Sequence, residues 1–238
     1  MKKAIVIGAT SGIGKGLATA LANNDYKVAI TGRRTELLEE LQLQNPKKFI
    51  TKSFDVKEVN AIPQYLDELV NELGGLDILV LSSGTGDINN TLDFDVEKGT
   101  IETNVLGFTC IIDWTFNFFQ KQKSGHIVAI TSIAGLRGGR QAPAYNATKA
   151  YQISYLEALR QKANNLKIPI VVSDIRPGFV DTAMAKGEGK FWVATVEKAS
   201  QQIMHAIIKK KKIIYVTKRW RLIAALFKLM PTSLYERL

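Results

Sequence analysis

Short apolar runs rich in β-branched residues alternate along the chain with longer stretches whose apolar positions recur every three or four residues. The first kind is the signature of a strand buried on both faces, the second of a helix with one buried side. Strands are predicted at Lys3 to Gly8, Lys27 to Thr31, Phe49 to Ser53, Asp77 to Leu81, His126 to Thr131, Ile168 to Asp174 and Ile213 to Val216. Between them the spacing predicts helices at Gly12 to Asn23, Thr35 to Gln44, Val59 to Leu73, Val96 to Gln120, Tyr145 to Ala163 and Val196 to Ile208. Gly74-Gly75 ends the third helix and Pro46 stops the second. Regular β-α alternation implies a parallel sheet with helices on both faces. The expected fold class is therefore α/β, a doubly wound, Rossmann-type parallel sheet of about seven strands in a single domain. A seam near Thr217 separates a sheet domain (1–217) from a short tail (218–238). In such sheets ligands bind beyond the carboxyl ends of the strands, so chemistry is sought there.

Composition narrows the picture. With 46% apolar and 23% charged residues, the 238-residue chain can bury a large core, which excludes a disordered chain. Met1-Lys2-Lys3 leads directly into Ala4 to Ile7, too short for a secretory segment, and no run approaches the roughly 18 apolar residues of a spanning helix. Cys110 is the sole cysteine, so no intrachain disulfide is possible and a cytoplasmic location is expected. Two histidines, His126 and His205, lack partners at zinc spacing, and no metal is expected. The net charge of +10 is uneven: from Lys209 to Leu238 nine Lys or Arg face only Glu236, a net +8, leaving +2 for the rest (23 basic, 21 acidic). Basicity confined to a tail, without a nucleic-acid motif, argues against a nucleic-acid partner.

Candidate chemistry begins at the first strand end. Gly8-Ala9-Thr10-Ser11-Gly12-Ile13-Gly14 links that strand to a helix. Glycines let the backbone approach a pyrophosphate, and the helix N-terminus offers free N–H groups. The second strand ends Thr31-Gly32-Arg33-Arg34, with no acid to hold a free ribose 2′-hydroxyl. A guanidinium suits a 2′-phosphate instead, so Arg33 and Arg34 point to NADP. Asp55 and Val56, after the third strand, are candidates for the adenine. Tyr145-Asn146-Ala147-Thr148-Lys149 sets Tyr145 and Lys149 on one helix face, where the cation can stabilise a phenolate and lower its pKa. Ser132, at the end of the fifth strand, can donate to a substrate carbonyl, and it lies in no G-x-S-x-G elbow.

With these residues the sequence resembles the short-chain dehydrogenase/reductase family from residue 3 to about 216. The resemblance rests on Gly8, Gly12 and Gly14, on Asp55, Ser82-Ser83-Gly84, Asn104, Ser132, Tyr145 and Lys149, and on Pro177-Gly178 with Thr182. It implies an NADP-dependent oxidoreductase acting on a small-molecule carbonyl or alcohol, with 1–217 as the dinucleotide-binding and catalytic domain. Tyr145 would exchange the proton, Ser132 orient the carbonyl, Lys149 hold the nicotinamide ribose, and Asn104 support a water-linked proton relay. Thr182 would meet the carboxamide and the backbone of Ile13 would lie under the cofactor, with Thr10, Ser11, Ser83, Gly84, Pro177, Gly178 and Val180 completing the site. Ser82-Ser83 departs from the family's Asn-Asn-Ala-Gly type of turn. The alternatives are a catalytically silent NADP-binding regulator and a membrane-associated redox sensor.

Two apolar surfaces concern partners. The helix around Asn104 is apolar nearly all round, and the family often pairs this helix and the Tyr-bearing helix across a dimer axis. A homodimer or homotetramer is expected. In the tail, Arg221, Ala225 and Lys228 cluster at helical spacing, while Trp220, Leu222, Ile223, Leu226, Phe227, Leu229 and Met230 fill the opposite arc. Such a helix can lie on an anionic membrane, giving peripheral contact at the inner membrane surface, or pack on the protein itself. The loop from Ala183 to Ala194, with Met184, Phe191 and Trp192, suggests an apolar substrate.

Overall fold

The computed structural model describes residues 1–185 and 191–237, so residues 186–190 of the Ala183 to Ala194 loop lie outside the described residues, as does the last residue of the tail. Seven parallel strands form one sheet in the order β3-β2-β1-β4-β5-β6-β7. They are β1 (Lys2–Ile7), β2 (Tyr26–Gly32), β3 (Phe49–Ser53), β4 (Ile78–Leu81), β5 (Gly125–Ile130), β6 (Ile170–Pro177) and β7 (Ile213–Val216). The predicted fold class is the observed one. Strand order reverses between β1 and β4, which opens a crevice at their carboxyl ends.

Alternation along each strand sends side chains to two separate cores. Val6, Val28, Ile30 and Val128 meet α1 (Gly12–Asn23), α2 (Thr35–Gln44) and α7 (Val196–Ile208) on one face. Ile5, Ile7, Leu79 and Ile127 meet α3 (Ile62–Leu73), α5 (Phe108–Gln122) and α6 (Pro143–Asn165) on the other. Helix α3 begins three residues later than predicted, with proline in its first turn, and Gly74 ends it in the left-handed region. Strand β6 runs three residues beyond the predicted Asp174, because Asp174 and Arg176 pair inside the sheet layer at 2.6 Å and need no solvent. The single long helix predicted at Val96 to Gln120 is interrupted. It runs as α4 (Phe94–Ile101), a π-helical stretch at Glu102–Gly107, and then α5.

Part of the cover expected from a second subunit comes from within the chain. Trp114 on α5 donates to Asp67 of α3 at 3.1 Å, and Phe108 lies edge-on to Tyr151 and Tyr155 of α6. Leu106 remains 53% exposed.

His126 sits buried on β5, with Nε2 2.8 Å from the Ser173 hydroxyl, which itself donates to the Lys211 carbonyl. The ring is thus the donor in that contact and is held neutral. Burial, aided by Lys210, pushes its pKa down from 6.5 to about 4. The unfolded chain therefore takes up a proton that the folded chain does not between pH 6.5 and 4, so stability falls as pH falls through that window. The expected loss at the acid end is roughly 3 kcal/mol. Urea unfolding at stepped pH checks it: His126→Gln should flatten this part of the profile, and an unchanged slope would refute the assignment.

Candidate active site

A continuous cleft of about 1640 Å³ runs along the carboxyl ends of the strands. Its floor at one end is the turn from β1 to α1. Gly8 has φ +85°, and a Cβ there would stand 2.6 Å from the backbone nitrogen of Ser83, so only glycine lets the β1 and β4 turns close on one another. The unusual Ser82-Ser83 turn thus keeps its place beside Gly8. The end of that turn and the start of α1 open on the cleft with Thr10, Ser11, Gly12 and Ile13. The two arginines behave differently. Arg34 donates to the hydroxyls of Thr10 (2.6 Å) and Ser11 (2.8 Å), whereas Arg33 is 69% exposed and reaches Asp55 at 3.4 Å. Val56 is buried beside them, and Ser83, Gly84, Pro177, Gly178, Val180 and Thr182 line the same cleft.

At the centre the structure brings Ser132, Tyr145 and Lys149 together. Ser132 caps the short 3₁₀ turn Ile133–Leu136, its hydroxyl accepting from the Ala134 N–H at 3.1 Å. Tyr145, in the first turn of α6, shares a hydrogen bond with Ser132. Burial raises the Tyr145 pKa and the Ser132 bond opposes that rise. The lowered phenol pKa expected from the sequence is therefore not what this geometry produces. The reason is where Lys149 points. Its Nζ lies 5.7 Å from the Tyr145 ring centre and donates to the Ile130 carbonyl (3.1 Å) and to Gln152 Oε1 (3.0 Å). Burial brings the lysine pKa down to about 8, with the carboxylate of Asp174 pulling the other way.

Asn104 lies in the π-helical stretch, fully buried. Such an expansion re-aims a side chain and backbone carbonyl that a regular helix would commit to itself. The Asn104 carboxamide accepts from the Thr85 N–H (3.0 Å), donates to the Thr85 carbonyl (2.7 Å) and donates to Thr148 Oγ1 (3.1 Å). It ties the β4 turn to α6. Its backbone carbonyl accepts from Gln152 Nε2 at 2.9 Å. Sequence reasoning missed Gln152, although its spacing of three from Lys149 was a usable signal. Arg176 is buried, paired with Asp174 and 3.2 Å from the Tyr215 hydroxyl, while Thr131 donates to the same Asp174 at 2.6 Å. Among the described residues no group of three or more His, Cys, Asp or Glu could hold a metal ion.

The tail forms a wall of this cleft. After β7 come α8 (Trp220–Leu229) and α9 (Thr232–Tyr235). Trp220 is 2% exposed and packs against Gly178, where a Cβ would fall 2.0 Å from the indole. Phe179, Phe191 and Trp192 surround it at 5.0–5.8 Å between ring centres. Arg137, in the loop before α6, donates to the Met230 carbonyl at 3.3 Å and lies 4.3 Å from the centre of the Tyr235 ring. Tyr235 in turn donates to the Gly138 carbonyl at 2.6 Å. The broad apolar arc read from the sequence therefore divides. Trp220 and Ala224 are buried, while Leu222, Leu226 and Leu229 are 51–81% exposed beside Arg221 and Lys228. Lys209 to Lys212 precede β7 and so sit at the opposite end of the sheet from α8. No helix among the described residues is long and apolar enough to cross a membrane.

Known proteins share the sequence pattern and the fold. The sequence model of the short chain dehydrogenase family matches residues 2–191. An uncharacterized oxidoreductase of Myxococcus xanthus (strain DK1622) is 32% identical over 188 residues, 77% of this chain and 74% of that protein. One from Staphylococcus epidermidis (strain ATCC 12228 / FDA PCI 1200) is 31% identical over 190 residues, 78% of this chain and 81% of its own length. Among solved structures, the closed form of a serine dehydrogenase complexed with NADP+ superimposes with a TM-score of 0.81 at 25% identity, covering 90% of this chain and 93% of that one. A short-chain dehydrogenase/reductase from Burkholderia phymatum in complex with NAD gives 0.84 at 19% identity, covering 94% and 92%, a likeness of fold alone. The fold and the cleft define a nicotinamide-dependent oxidoreductase. The chain belongs to the short-chain dehydrogenase/reductase family.

Proposed function

We propose that the protein is an NADP(H)-dependent oxidoreductase that interconverts a carbonyl and an alcohol on an apolar small molecule, with Tyr145 as general acid and base. The observation that carries this is the meeting of Ser132, Tyr145 and Lys149 at the centre of a cleft whose far end is the glycine turn of α1. The residues fit the dinucleotide: the turn from Gly8 to Ile13 lies along the cleft with Gly8 and Gly12 in the left-handed region, and two arginines flank it. Gly12 and Ile13 would present backbone to the pyrophosphate, while Gly14, expected there from the sequence, is buried against the Gly8 carbonyl and lets α1 close on the turn; Asp55 and Val56 would bound the adenine, and Thr182 would meet the carboxamide. Bound there, the cofactor supplies the hydride. Ser132 would hold the substrate oxygen, Tyr145 would give it a proton in reduction, and Lys149 would hold the ribose and the Tyr145 hydroxyl in register. Met184, Phe191, Ile223 and Phe227 give the substrate end an apolar wall. The same reading makes the protein a cytoplasmic homodimer or homotetramer built on the exposed edge of α5 near Leu106. It also lays the outer face of α8 on an anionic bilayer, because Leu222, Leu226 and Leu229 are presented to solvent with Arg221 and Lys228 alongside.

The cofactor half is tested by titrating both nicotinamides. NADPH is expected to bind at least about tenfold tighter than NADH, since hydrogen bonds to a charged group contribute roughly 1.5–3 kcal/mol. Arg33→Ala and Arg34→Ala should each weaken NADPH and leave NADH nearly unchanged. Equal affinities in the wild type would overturn the NADP assignment.

A further inference from the structure

We propose that Gln152 is a positioning residue for the catalytic pair, a neutral strut that fixes the Lys149 ammonium against the backbone of Asn104. The proposal rests on the reading of Tyr145 and Lys149 as that pair. Gln152 is 1% exposed, one helical turn beyond Lys149 on the buried face of α6. Its carboxamide is used at both ends, accepting from Lys149 Nζ at 3.0 Å and donating to the Asn104 carbonyl at 2.9 Å. An ammonium has three N–H donors. Gln152 and the Ile130 carbonyl take two, which orients the third. A Cβ at Gly84 would lie 3.4 Å from Nζ, so the β4 turn closes that side.

Two consequences follow. First, the link from Lys149 to Asn104 runs through an amide, which holds both hydrogen bonds but does not pass a proton as a hydroxyl or water does. It is a support, and the proton exchanged at Tyr145 does not travel along it. Second, the strut is uncharged, so it favours the ammonium through its hydrogen bond and raises the pKa less than an acid in its place would. The titratable groups facing Lys149 are Tyr145 on the cleft side and Asp174 behind, and Asp174 is engaged by Arg176 with Arg160 near both. In that setting burial already brings Lys149 to about 8 against the pull of Asp174, and the direct acceptor at 3.0 Å adds to that pull.

The test measures Lys149 itself. In full-length protein labelled with ¹³Cε-lysine, the Lys149 resonance is assigned by its loss in Lys149→Arg and followed with pH. Gln152→Met removes the acceptor at similar volume and should lower the Lys149 pKa by about one unit. Gln152→Glu places a carboxylate there and should raise it by about one unit or more. A purely structural role would not move the two variants in opposite directions. The neutral replacement decides, since a carboxylate at 152 raises a nearby ammonium by charge alone; should Gln152→Met fail to fold, Gln152→Leu takes its place. No displacement, or displacement the wrong way in a folded variant, overturns the strut. Loss of the Tyr145 reading would show separately, as retained turnover in Tyr145→Phe with the lysine titration unaffected.

Discussion

Tyr145→Phe is expected to lower turnover by about 10²–10⁴-fold while NADPH still binds, the range that a positioned general acid contributes. The substitution removes the Tyr145 hydroxyl and keeps the ring, so the wall of the cleft is preserved. Burial holds the phenol protonated, which suits a donor in the direction of reduction. The measurement is oxidation of NADPH against a panel of aldehydes and ketones, paired with a fluorescence titration of the cofactor. Near-normal turnover in the variant would remove Tyr145 from the mechanism. A parallel loss of cofactor binding would mean that the ring, not the proton, was needed.

Ending the chain at Thr217 is expected to cost the sheet domain much of its stability. Truncation exposes the pocket formed by Gly178, Phe179 and Phe191 that Trp220 fills. Emptying a site of that size costs about 3–5 kcal/mol, on the order of 10 °C in melting temperature for a chain this long. Trp220→Ala should account for most of that loss. Trp220→Phe should cost far less, since the indole N–H has no hydrogen-bond partner among the described residues. The same proteins address the lipid face. Full-length protein should sediment with anionic phosphatidylglycerol vesicles at low salt, release as salt rises, and bind more weakly with Arg221→Glu or Lys228→Glu. A tail that only stabilises the fold would show the melting change with no sedimentation at any salt.

The seven strands and the helices that cover both faces were legible because a buried parallel strand needs an unbroken apolar run and its covering helix needs a 3.6-residue stripe, whereas the order of the strands in the sheet came from the structure. Ser132, Tyr145 and Lys149 could be placed together for a similar reason. Two lie at helical spacing and the third at a strand end, so the βαβ connection alone brings them to one edge. The π-helical stretch at Glu102–Gly107 was not legible, because it changes hydrogen-bond register without changing the apolar pattern.

Local chemistry in the sequence thus determined the sheet, its carboxyl-end cleft and the residue types around it. Tertiary packing decided how those residues are used. It turned Lys149 toward Gln152 and Ile130, so that burial raises the Tyr145 pKa where spacing alone pointed the other way. It set Arg34 across the glycine turn and left Arg33 to Asp55. It also divided the tail's apolar arc into a buried side and an exposed one. Apart from the local contact of Lys149 with Gln152, each of these depends on which group lies within hydrogen-bonding or packing distance across 19 or more residues of chain, from Lys149 with Ile130 to Arg137 with Met230. A pattern read along the sequence carries periodicity, whereas those distances exist only once the chain has closed on itself.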